Sequence, residues 1–180
     1  MPILTETWVL PRPRRDAYVG SFPLHFEQKL WRLLDCPERV LHPFGGLAEI
    51  GDTVDLNETT SPTWVGDAHD LHWIEDDSYD LVILDPPYSD DEAAWLYSTP
   101  PLKPGRYTAE AVRVCCNGGH VAVYHRQQPR RPAGTKLVHR IVVLTRTGHA
   151  PRVCFVFQKL PADYIHPERN SDGQQALPLP

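Results

Sequence analysis

Long apolar runs are missing from these 180 residues, and no basic-then-apolar leader opens the chain. Neither a membrane-spanning helix nor a secretory signal is therefore expected. Cysteine is scarce as well. Cys36, Cys115, Cys116 and Cys154 show no C-x-x-C spacing, so a zinc knuckle or redox pair has no support and they read as reduced thiols of a cytoplasmic protein. The nine histidines lack ligand spacing too, and no metal site is expected. Charge of one sign is absent from two segments. Leu41 to Leu102 carries 14 Asp or Glu and no Lys or Arg, whereas Ala111 to Ala162 carries nine Lys or Arg and no Asp or Glu. A split of this kind makes one region basic even at a net charge of −5, unless sheet order interleaves the two segments.

What is present points to one packed domain. Hydrophobic residues make up 41% of the chain and five are tryptophans, enough for a core that buries about 70% of the unfolded surface. The reading places an N-terminal extension at 1–20, the domain at 21–160 and a poorly ordered tail at 161–180.

Periodicity predicts a helix over PLHFEQKLWRLL (23–34), with Pro23 suited to its first turn. Short strands are expected at 39–44, 53–57 and 62–67. The apolar run YDLVILD (79–85) has the character of a strand buried on both faces. RYTAEAVRVCC (106–116) reads as a helix stopped by Asn117-Gly118-Gly119. Three more strands follow at 120–125, 140–147 and 152–159, the last two joined by a hairpin through Gly148-His149-Ala150-Pro151. The expected fold is α/β: a Rossmann-like, seven-stranded, mostly parallel sheet with an antiparallel C-terminal edge hairpin.

The 79–85 strand runs directly into Asp85-Pro86-Pro87-Tyr88. Each proline biases the residue before it toward extended backbone, and neither has an N–H to continue sheet pairing. The result is a stiff shelf with free carbonyls, a carboxylate at one end and an aromatic ring at the other. In an open α/β sheet, ligands sit outside the carboxyl ends of the strands. His42-Pro43-Phe44-Gly45-Gly46, Asp55 and Asp67-Ala68 fall at that same edge.

These four pieces, in this order, resemble class I S-adenosylmethionine-dependent methyltransferases of the amino-methylating branch, which carry the D/N/S-P-P-Y/F motif. The resemblance spans roughly 20–160. It implies a cofactor site for S-adenosyl-L-methionine formed by Phe22, Pro43, Phe44, Gly45, Gly46, Asp55, Asp67, Ala68 and Asp85. Asp55 would meet the ribose or amino-acid part and Asp67 the adenine amine, and Tyr18 to Leu34 would line the methionine side. Asp85, Pro86, Pro87 and Tyr88 are implied as the catalytic set. Asp85 and the Pro86 carbonyl would accept from an exocyclic amine, with Tyr88 stacking on a flipped or unpaired base. The implied substrate is a base in nucleic acid, adenine N6 in DNA ahead of guanine N2 in RNA.

Some positions depart from the pattern. His42 stands where the family has an acid, Ala48 where it has a later glycine, and only ten residues separate Phe44 from Asp55. That is too short for the usual crossover helix, and Glu49 is a candidate replacement carboxylate. No separate target-recognition domain fits the length. Nucleic acid is expected instead at the loop 126–140, through Arg126, Arg130, Arg131, Lys136 and Arg140 on the same active edge. Trp95 and Tyr97 are candidates to stack a base. The altered first motif also suits a methyltransferase-fold protein that has lost its cofactor and binds a partner. A small-molecule amine substrate ranks last.

Overall fold

The computed structural model describes residues 2–13, 20–97, 99, 101–145 and 150–164. The strands are β1 (Leu4–Val9), β2 (Val40–His42), β3 (Asp52–Asp55), β4 (Trp64–Val65), β5 (Tyr79–Leu84), β6 (Cys115–His125), β7 (Thr135–Leu144) and β8 (Arg152–Lys159). The helices are α1 (Phe26–Leu33), α2 (Asp90–Tyr97) and α3 (Pro104–Val114), with one short 3-10 turn at Glu58–Thr60. Among the described residues the strands form one eight-stranded sheet in the order β1-β7-β8-β6-β5-β2-β3-β4.

The sheet is parallel from β4 through β6 and again between β1 and β7; β8 runs antiparallel to both of its neighbours. The expected α/β fold is therefore correct, with two adjustments. There are eight strands rather than seven, and the β7–β8 pair is not the edge. Leu4–Val9, to which the sequence reading gave no element, pairs with β7 and takes the edge position. Its pattern is hard to recognise because Trp8 is its one buried residue. The turn expected at 148–149 and the tail from 165 onward lie outside the described residues.

Alternation along the central strands sends side chains to two cores. Leu41, Val82, Leu84, Val121, Val123, Phe155 and Phe157 meet Tyr107, Ala111 and Val114 of α3. Val40, Leu81, Ile83, Ala122, Tyr124 and Val156 meet Phe26 and Leu30 of α1, with Trp8. Burial on both faces is why β5 reads as an unbroken apolar run.

Three boundaries differ from expectation, the first being β7, which starts at Thr135 inside the expected 126–140 loop rather than at 140. Pro23 precedes α1 rather than sitting in its first turn, and its carbonyl accepts from the Phe26 N–H. Asn117-Gly118-Gly119 do not end a helix. Instead α3 stops at Val114, and β6 pairs Cys115 with Tyr79 and then His120 with Leu81, so a bulge holds Gly118 at φ 80°.

Sheet order does not interleave the charged segments. Strands β2 to β5 come from the acidic stretch and lie together; β6, β8 and β7 come from the basic one and also lie together. The linear asymmetry thus survives as an acidic half and a basic half, meeting where β5 pairs with β6. Among the described residues no helix is long and apolar enough to cross a membrane, and no group of three or more His, Cys, Asp or Glu side chains gathers as a metal site.

Candidate active site

A cleft of about 800 Å³ opens at the carboxyl ends of β2, β3, β4 and β5. Phe22, Pro43, Phe44, Gly45, Gly46, Asp55, Asp67 and Ala68 all line it, as do Asp85, Pro86, Pro87 and Tyr88. The twelve residues named for the cofactor site and the shelf therefore face one space, and of the segment Tyr18 to Leu34 it is Gly20 to His25, Glu27 and Gln28 that line it. Tyr18 lies outside the described residues.

At the end of β2 the chain returns to β3 through residues 43–51 without a helix. Parallel strands ordinarily need a crossover of about a dozen residues or more, and this one closes by turns. The Gly45 N–H donates to the Val54 carbonyl at 2.9 Å, and the Ala48 N–H donates to the Gly45 carbonyl at 2.9 Å. The Gly46 N–H donates to Asp55 Oδ2 at 2.7 Å, and the Asn57 N–H to Asp55 Oδ1 at 2.8 Å. Asp55 thus orders the glycine turn, and each oxygen keeps a lone pair for a ligand hydroxyl. Gly51 turns the chain into β3 at φ 81°, where a Cβ would stand 2.3 Å from the Val40 carbonyl oxygen.

His42 is fully buried at the β2 terminus, and burial lowers its pKa to about 4. Its Nε2 has no hydrogen-bond partner and lies 3.5 Å from Glu27 Oε1. Glu27, on α1, lines the cleft and accepts from the Glu49 N–H at 3.0 Å. Desolvation raises its pKa to about 7 against the pull of backbone donors. Gln28 adds a second tie, donating to Glu49 Oε2 at 2.8 Å. The carboxylate nearest His42 is therefore Glu27 from a different element, while Glu49, the candidate named from sequence, is engaged by Gln28. Sequence reasoning missed Glu27 because helical periodicity marks only a residue's face, and its partner lies 22 positions away.

Beyond β4, Asp67 accepts from the His69 N–H at 2.9 Å and meets His69 Nδ1 at 2.6 Å. Burial pushes its pKa up, but the His69 hydrogen bonds outweigh this and the net direction is down. The other His69 nitrogen accepts from the Lys103 N–H at 3.0 Å, tying this corner to the start of α3. The Phe44 and Tyr107 rings meet edge to face at 5.2 Å, and Phe22 stacks on Phe26 at 4.9 Å. Phe44 and Phe22 line the cleft, each braced from behind by a ring of the core.

The shelf after β5 is organised by its own residues. Tyr88 Oη donates to Asp85 Oδ1 at 3.2 Å, and the Tyr88 N–H donates to Glu92 Oε2 at 2.9 Å. Desolvation raises the Asp85 pKa to about 8, opposed by the Tyr88 hydroxyl and by Arg152 and reinforced by Glu92. Asp85 is thus largely a neutral acid at pH 7 and becomes a strong acceptor as it ionises.

The basic residues expected to act as one loop are not together. Arg126 follows β6 at the active edge, but the chain then crosses to the opposite edge, where Lys136 is in register with Gln158 and so with His120. Arg130 and Arg131 lie along that crossing, and Arg140 sits mid-sheet opposite Phe155, donating to Gln128 at 3.1 Å. The expectation of one basic loop on one edge is corrected: Lys136 and Arg140 belong to β7, which must restart at the far edge to run antiparallel to β8, while Arg126 stays at the active edge. Trp95, on α2, is 84% exposed, and the Tyr97 side chain lies outside the described residues.

With this geometry in view, similarity to known structures is informative. The fold matches TrmN from Thermus thermophilus with a TM-score of 0.56 and 25% identity over 79% of this chain and 50% of that one. The architecture is a methyltransferase fold. It also matches a 1,6-didemethyltoxoflavin-N1-methyltransferase from Burkholderia thailandensis, solved with S-adenosylhomocysteine, at a TM-score of 0.53 and 11% identity, covering 74% of this chain and 76% of that chain. The yhhF protein of Escherichia coli aligns over 83% of this chain and 92% of its own at a TM-score of 0.51 and 11% identity. No family model and no curated protein sequence matches the chain. The chain spans half the length of TrmN. The Rossmann-like sheet of S-adenosylmethionine-dependent methyltransferases is therefore the architecture around this cleft.

Proposed function

We propose that the chain binds S-adenosyl-L-methionine and methylates an exocyclic amine of a base in nucleic acid. The observation that carries this reading is the convergence of Asp85-Pro86-Pro87-Tyr88 with Phe44–Gly46, Asp55 and Asp67 on one cleft. The residues present suit the cofactor: glycines without side chains, two acids with spare lone pairs, and the apolar walls Phe22 and Phe44. Bound there, S-adenosylmethionine supplies a methyl group on a cationic sulfur.

The chain's own part is to make a poor nucleophile competent. The lone pair of a base amine is delocalised into its ring. Asp85 and the Pro86 carbonyl each accept one N–H, which favours a tetrahedral nitrogen and frees the lone pair. Positioning and preorganised acceptors supply most of the rate. Asp85, with a pKa near 8, is also matched to take up the proton that the methylated amine gives up. Tyr88 offers a face for the base once that base is unpaired. Adenine N6 in DNA is the first candidate and guanine N2 in RNA the second, and the cytoplasm is the proposed compartment.

The deciding experiment is calorimetric titration with S-adenosylmethionine and S-adenosylhomocysteine, followed by methyl transfer to single-stranded DNA and RNA. Micromolar binding and a methylated base are expected. A folded protein that binds neither compound at millimolar concentration would sink the reading. The helix-free 43–51 crossover would then mark a methyltransferase fold turned to partner binding.

A further inference from the structure

Tyr88 has company beyond the cleft. The guanidinium of Arg126, the first residue after β6, lies 4.8 Å from its ring centroid, and that of Arg152, which opens β8, lies 4.7 Å away. The His125 ring meets it edge-on at 5.2 Å. Because His125 pairs with Val153 across β6 and β8, the end of one strand and the start of the other bring both cations to the active edge.

The local charges do not balance. Arg126 pairs with Glu92 at 3.1 Å, and Glu92 also accepts from the Tyr88 N–H. Arg152 donates to the Ala150 carbonyl at 3.0 Å and has no carboxylate in salt-bridge contact among the described residues. Asp85 is close enough to feel Arg152, yet burial keeps it largely protonated near neutral pH. Two cations therefore share one carboxylate beside the shelf. Guanidinium forks match the oxygens of a phosphate, and such charge-assisted bonds exceed a cation–π contact.

We propose that Arg126 and Arg152 form an anion subsite for the phosphate of the nucleotide whose base amine rests on Asp85. This deepens the methyltransferase reading and depends on it. Glu92 is the internal stand-in that holds Arg126 until a phosphate arrives. Capture of the phosphate draws the guanidiniums off Tyr88 and bares its ring for the base.

The test is calorimetry with S-adenosylhomocysteine present, comparing adenosine, guanosine and cytidine with their 5′- and 3′-monophosphates. At least one monophosphate should bind about tenfold more tightly than its nucleoside, and the preference should vanish in R126Q/R152Q. E92Q keeps an acceptor for the Tyr88 N–H but frees Arg126, so monophosphate affinity should rise roughly threefold. Equal affinity for nucleosides and monophosphates in the wild-type protein would overturn the subsite while leaving amine methylation standing. So would a folded double variant, judged by thermal melting, that keeps the preference. Binding of neither class by protein that holds S-adenosylhomocysteine would overturn both readings.

Discussion

The ends of β5 and β2 face the same cleft but are built in opposite ways. After β5 the shelf is made of four consecutive residues, stiffened by two prolines and closed by the Tyr88–Asp85 hydrogen bond. After β2 the corner is assembled from pieces far apart: Gly46 on Asp55, Glu49 on Glu27, and Gln28 on Glu49. A local device needs only its own sequence. A non-local one needs α1 and β3 in place first, and its residues carry no contiguous motif.

Changes at the two corners should therefore fail differently. The largest effect is expected from Asp85→Ala, which should lower turnover by about 10²–10³-fold or more and leave cofactor affinity nearly unchanged. Its melting temperature should not fall, since a buried carboxyl of raised pKa is removed. A large loss of stability would show that the shelf is structural rather than chemical. Phe26→Ala should do the reverse, costing about 3–5 kcal/mol in urea unfolding, because the fully buried ring anchors α1 against Phe22, Trp8 and Tyr124. Gly51→Ala comes next, at about 1–3 kcal/mol, from positive φ and the close Val40 carbonyl.

Subtler effects come from pH. Activity should rise with pH and level off above about 8 as Asp85 ionises; a rate already flat from pH 6 would break that assignment. Glu27 sharpens the comparison through stability. Its pKa rises from 4.5 to about 7 on folding, so its favourable contribution is full below pH 4.5 and is lost as pH climbs to about 7. Glu27→Gln mimics the protonated acid, keeps an acceptor for the Glu49 N–H and should remove that dependence. The stability difference between variant and wild type should grow in favour of the variant between those pH values, then level. A difference constant with pH would show that Glu27 is not held protonated.

Much of the architecture was legible in the chain itself. The apolar run 79–84 announced a central strand because both of its faces are buried, and DPPY announced the shelf because proline restricts its neighbours whatever surrounds them. The missing crossover helix could be counted from ten residues between Phe44 and Asp55. The first strand escaped notice because an edge strand with one buried residue has little alternation to read. The glycines 118–119 were mistaken for a helix stop because a bulge and a C-cap ask for the same backbone freedom.

Other features depended on how distant segments meet. Sheet order alone kept the acidic and basic stretches in separate halves. It also dispersed the basic loop and set Arg152 beside Arg126. The pairing of Glu27 with His42 arises only when α1 packs over the end of β2. The sequence by itself determined the central strand β5, the rigid shelf and the shortened crossover, since each follows from local sterics and burial period. Only the tertiary structure decided which charges share the active edge, since that depends on strand order and register.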